Sequence, residues 1–94
     1  EPTGEHQYYV GLSLRAIYQR ELVPDEQRET VRMMAVAAFM AVLDHFPDAV
    51  TYDITGTVAY PITLDAYGAL VDLGGDPSPW VVVEASDGQA VVIK

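Results

Sequence analysis

Residues 33–43, MMAVAAFMAVL, carry no charge, amide or hydroxyl, and they lie within a longer stretch whose apolar positions recur at helical spacing. At ~100° per residue, Val31, Met33, Val36, Phe39, Met40, Val42, Leu43 and Phe46 share an arc of roughly 200°. Met34, Ala37, Ala38, Ala41, Asp44 and His45 make up the remaining side. Pro24, Asp25 and Glu26 mark the start, because a first-turn proline loses no hydrogen bond and acids suit the positive end of the helix dipole. Pro47 disfavours helical geometry at residue 46. The pattern therefore predicts one helix from this PDEQ segment to about Phe46, bulky on one face and rich in alanine on the other.

The rest of the chain reads as strands. In residues 7–19, QYYVGLSLRAIYQ, Val10, Leu12, Leu14, Ala16 and Tyr18 alternate with Tyr9, Gly11, Ser13, Arg15 and Gln19, which predicts a half-buried strand. A helix is the weaker alternative there, since Gly11 and the β-branched and tyrosine content disfavour it. Residues 1–6 are expected to fray. In AVTYDITGTVAYPITL, residues 49–64, the apolar side chains occupy even positions and the threonines odd ones. Gly56 marks a bulge, or a turn if DITG folds back, and Pro61 requires an edge or a bulge. DAYG, 65–68, predicts a second turn with 69–73 as a returning strand, and a short helix over 64–73 is the alternative. LGGDPSP is then a loop, PWVVVEA a buried strand, SDGQ a hairpin turn and AVVIK the last strand.

The fold class that follows is α+β in one domain, 1–94: a single central helix packed against or wrapped by a mainly antiparallel sheet of about five strands, in the order β-α-β-β-β-β. A sheet curled round one helix is similar in shape to the cystatin-like and hot-dog folds. However, TGTVA at 55–59 does not match the cystatin glutamine–valine–glycine hairpin, Pro79-Trp80 precedes a strand rather than sitting in a hairpin loop, and no hot-dog thioesterase motif is present. No family is implied.

Charge changes this picture most. Fourteen acids face five bases for a net charge of −9. The four arginines lie between positions 15 and 32, and Lys94 is the other base. Residues 33–93 hold Asp44, Asp48, Asp53, Asp65, Asp72, Asp76, Glu84 and Asp87 and no base at all. Such a surface repels phosphate backbones and attracts basic partners, which argues against nucleic acid. With no cysteine, disulfides, thiolate metal sites and thiol nucleophiles are excluded. No apolar run reaches the ~20 residues of a membrane span. The chain opens EPTGEHQ, with neither a basic segment nor an apolar signal region, but it also lacks an initiator Met, so a leader removed before Glu1 stays open; a cytoplasmic location is expected over a secreted one.

Catalytic chemistry finds little support. His6 and His45 have no HxH, HxxxH or HExxH partner, and residue 44 points ~100° away from residue 45 on a helix, so Asp44 and His45 make no dyad by adjacency. No serine has a GxSxG context, and Gly74-Gly75 lacks phosphate-loop spacing. Asp72 and Asp76 could hold at most a weak calcium ion; neither a cofactor nor a dedicated metal site is implied. The loop DLGGDPSPW is the strongest candidate for partner binding, through Asp72, Asp76, Trp80 and the nearby Glu84, with Trp80 as anchor or alternatively as a core plug. Met34, Ala37, Ala38, Ala41 and, at the sheet edge, Val92 are candidates for self-association. Phe39, Tyr52 and Tyr60 are candidates to line a pocket between helix and sheet. The expected function is a non-enzymatic protein-binding module acting on a basic protein. A small-molecule binder or small enzyme, and a purely structural homo-oligomer, are the alternatives.

Overall fold

The structure, a computed structural model, describes residues 3–52, 54–57, 59–84, 88 and 90–94. It contains α1 (Gly4–Gln19), α2 (Asp25–His45), β1 (Val50–Tyr52), β2 (Ala59–Pro61), α3 (Ile62–Asp72), β3 (Val81–Glu84) and β4 (Ala90–Ile93). β1 pairs with β2 and β3 with β4, both antiparallel, as two separate two-stranded sheets. The fold is thus mostly helical. The expected single helix within a five-strand sheet, and with it the cystatin-like or hot-dog shape, is not what forms.

Residues 7–19 are the first reason. They belong to α1, whose N-terminus is capped by Thr3, the side chain of which accepts from the backbone N–H of His6 at 3.0 Å. Residues 4–6 are helical rather than frayed. The period-2 alternation coexists with a second pattern in which Gly4, Tyr8, Gly11, Arg15 and Tyr18 recur every three or four residues. Packing selects the second. A Cβ on Gly11 would lie 2.7 Å from the Phe39 ring, and one on Gly4 would meet Ala49 and Phe46. The two glycines, seven residues apart, let α1 lie close against α2 as an antiparallel pair. Gln7 ties the pair by donating from Nε2 to the Ala38 carbonyl at 3.3 Å. The helix penalty of glycine, ~1 kcal/mol, is outweighed by this close approach.

The second reason is α3. Ile62, Ala66, Ala69, Leu70 and Leu73 are buried on one face, a helical spacing that the expected turn at DAYG and strand at 69–73 obscure. Its end is a Schellman cap: Gly75 N–H donates to Leu70 O and Gly74 N–H to Val71 O, both at 2.9 Å, with Gly74 at φ 81°. The long strand expected over 49–64 is broken into β1 and β2 around a turn that includes Gly56 at φ 73°. The final hairpin forms in the expected place, pairing Val81 with Ile93 and Glu84 with Ala90. Its first strand, expected to be buried, is exposed along its whole length, because among the described residues no further strand or helix covers its outer face. Of its SDGQ turn only Gly88 is described.

Helix α2 is therefore covered by helices rather than by a sheet. Phe39, Val42, Leu43, Ile62 and Leu70 are the largest fully buried side chains, with Ala35, Ala66, Ala69, Leu73 and Trp80 completing the core. Among the described residues no helix is long and apolar enough to cross a membrane.

Candidate functional site

The loop after α3 is built from its glycines outward. Gly75 sits so close to α2 that a Cβ would lie 2.7 Å from Val36 Cγ1, which pins the loop to the helix. Asp76 then turns the chain, its Oδ1 accepting from the Ser78 N–H at 3.0 Å. That bond holds the exposed Asp76 carboxyl below its usual range. Trp80 follows, 9% exposed and part of the core, with its indole N–H donating to Asp44 Oδ1 at 2.8 Å. The tryptophan is thus a plug with a satisfied polar tip rather than an open anchor. Asp72, Asp76 and Glu84 remain on the surface around it.

The bases are arranged in the opposite sense. Arg28 donates from Nη2 to the Tyr18 carbonyl at 3.1 Å and lies over the Tyr18 ring at 4.6 Å, completing the C-terminus of α1. Its Nε is buried without a hydrogen-bond partner, so the ring face meets part of that charge. Arg32 donates from Nη1 to the Leu73 carbonyl at 2.7 Å, completing the C-terminus of α3, and pairs with Glu29. Arg15 lies 5.9 Å from the Phe39 ring centroid and Lys94 5.1 Å from that of Trp80.

Three open depressions mark the surface. One, about 290 Å³, separates β4 from residues 47–50, with Pro61, Thr63 and Leu64 beside them. A second, about 440 Å³, runs from Thr3 and Gly4 past His45 and Phe46, and shares Pro47, Asp48 and Ala49 with the first. The third, about 490 Å³, lies between α1 and α2, lined by His6, Tyr9, Val10, Ser13, Leu14 and Met34.

The expected self-association residues divide. Met34 is 50% exposed and Ala37 is exposed, while Ala41 is half-buried and Ala38 is buried beneath α1. Val92 faces inward and packs on the core, so it is no open edge residue. Of the expected pocket residues, Phe39 is fully buried and Tyr52 is 59% exposed, and the side chain of Tyr60 lies outside the described residues. Among the described residues no three histidine or acidic side chains converge as a metal site, Asp72 and Asp76 included.

Sequence reasoning missed Asp48 as a lining residue, and Tyr9, Val10 and Leu14 as companions of Met34. Val10 and Leu14 are four apart, a signal available once 7–19 is read as a helix. No protein-family model, no curated protein and no solved structure matches this chain significantly, so its function is argued from its own geometry.

Proposed function

We propose that this protein is a non-enzymatic, acidic protein-binding module acting on a basic protein partner, as an inhibitor, an immunity- or antitoxin-type protein or an assembly subunit. The observation that carries this reading is the fate of the bases. Four of the five, Arg15, Arg28, Arg32 and Lys94, are engaged by the protein's own carbonyls and aromatic rings. Asp48, Asp65, Asp72, Asp76 and Glu84 are exposed. These contacts with neutral groups leave the net charge at −9, and a field of one sign raises the encounter rate with a basic partner. Capture from a lysate at low and high salt, with mass spectrometry, identifies the partner. The association rate of that partner should then fall several-fold between 50 and 500 mM salt, because exposed charges are screened beyond ~8 Å already at physiological ionic strength. Asp72→Lys combined with Asp76→Lys should slow association further. An on-rate indifferent to both salt and charge reversal removes the acidic surface from the mechanism.

Self-association is a second reading, favoured by the groove between α1 and α2 in which Met34 lies beside Val10 and Leu14. It is compatible with the first, because it uses a different part of the molecule.

A further inference from the structure

The hairpin of β3 and β4 leaves much of its apolar surface open to solvent. Val81, Val83, Val91 and Ile93 share its outer face and are between 37% and 47% exposed. Two-stranded hairpins are marginal in water, and proteins protect a free strand edge with lysine, proline or a bulge. β4 reads AVVI and has none of these, and Lys94 just beyond it is turned onto Trp80. The depression beside β4 is lined by Ala90, Val91 and Val92 and by no residue of β3, so it runs along the edge turned away from β3. Among the described residues β4 pairs with β3 alone, so along that edge alternate residues offer N–H and C=O groups to an added strand.

We infer that this slot takes an extended segment of the basic partner, added as a third strand to β4; the inference rests on the protein-binding reading above. Four residues of β4 span about 13 Å, enough to pair with about four residues of an incoming strand. Main-chain hydrogen bonds supply affinity in this mode, and side chains alternate between the two faces. One set meets the apolar walls at Val50 and Leu64. The other carries the positive charge, for which Asp48 is placed: it lines this slot and the depression that continues it toward Thr3, and it is the charged residue shared by both. The occupant is therefore an alternating apolar and basic strand. A second copy of this chain fits the edge less well, since its β4 would bring another net charge of −9 to the same place.

The test uses the full chain labelled with ¹⁵N and three peptides: acetyl-(Lys-Val)₃-amide, the same peptide N-methylated at alternate backbone nitrogens, and acetyl-(Glu-Val)₃-amide. The first should bind saturably and shift amides of 47–50 and 90–93. N-methylation and, separately, Asp48→Lys should each weaken it tenfold or more, and the acidic peptide should not bind. Asp48 is exposed, so an unchanged amide spectrum of the free variant confirms that it folds. Binding of the basic peptide that maps to residues 65–76 instead, or that ignores N-methylation, overturns the strand-addition site and leaves the acidic-surface reading standing. No saturation by the basic peptide at millimolar concentration also overturns the site. Equal binding of the acidic peptide overturns both readings. Shifts at 90–93 that grow with protein concentration alone give the edge to a second copy and overturn the proposal.

Discussion

The contact between Gly11 and Phe39 shows how one residue decides an interface. Alanine is normally the better helix former by about 1 kcal/mol, but here its methyl group would enter the space of a fully buried ring. Overpacking of this kind costs typically 1–3 kcal/mol, so Gly11→Ala is expected to lower stability in urea denaturation. Gly68 is the internal control: it is in α3, and nothing lies within 4 Å of the Cβ it would gain. Gly68→Ala should raise stability by about 0.5–1 kcal/mol. Phe39→Ala should cost ~3–5 kcal/mol, whereas Met33→Ala, at 60% exposed, should cost a small fraction of that. Composition and period placed Met33 and Phe39 on one arc of α2. What separated them was the position of α1 and α3, which a helical wheel does not contain. Tyr8 adds a titration. Burial, and then the charge of Asp65, raise its pKa above the ordinary 10.0. Because folding raises this pKa, the neutral phenol stabilises the fold fully below pH 10 and progressively less as pH rises through the folded value. In an absorbance titration of tyrosinate, Tyr8→Phe should remove a late-ionising phenol and soften the loss of stability at alkaline pH.

At the scale of elements, helix ends are held by groups distant in sequence. Arg28 of α2 completes α1, Arg32 of α2 completes α3, and Asp44 of α2 satisfies Trp80. The central helix thus orients its neighbours through polar contacts as well as through its apolar arc. Arg32→Met should leave the fold intact but speed amide exchange at Gly74 and Gly75, whose donors close the cap at Leu70 and Val71. Asp44→Ala leaves a part-buried indole N–H without its protein partner and should cost about 1 kcal/mol, while Asp44→Asn, which keeps an acceptor, should cost less. These elements were unequally legible in the chain. α2 carried its own start, period and stop and was readable to within a residue or two, as was the hairpin of β3 and β4. α3 was readable only in part: LGG is a Schellman stop, but DAYG imitates a turn and the short helix is preceded by a proline rather than by a polar cap. α1 was the element most at odds with local propensity, because its glycines are favourable only when a partner helix is present to use the space. With α1 in place of the strand expected over 7–19 and α3 in place of the one expected over 69–73, two of the five expected strands were gone, and among the described residues the remaining ones pair only as two separate hairpins.

Charge is unevenly divided along the chain, and two of the three depressions, the α1–α2 groove and the slot beside β4, fall on different sides of that division. Residues 3–34 hold Glu5, Glu21, Asp25, Glu26 and Glu29 against Arg15, Arg20, Arg28 and Arg32, so this part is close to neutral (5 acids, 4 bases). Residues 35–93 hold acids and neither lysine nor arginine. The groove between α1 and α2 belongs to the neutral part, and the slot beside β4 to the acidic part. Two copies can meet through the first without bringing like charges together, whereas meeting through the second places acid against acid. Two-fold pairing of helical grooves is the commonest way to cover such a surface. Self-association is therefore expected to run through Met34, Val10 and Leu14, to be a dimer, and to be nearly independent of salt. Light scattering at micromolar concentration measures it directly. Met34→Glu should return the protein to its 10.3 kDa monomer without slowing association with a basic partner. Asp48→Lys should do the reverse, weakening the partner and leaving the dimer whole. A parent protein that is already monomeric sinks the dimer. A dimer that persists in Met34→Glu but dissociates on Val91→Lys moves the contact to the edge of β4, where the division of charge would no longer govern how this molecule assembles.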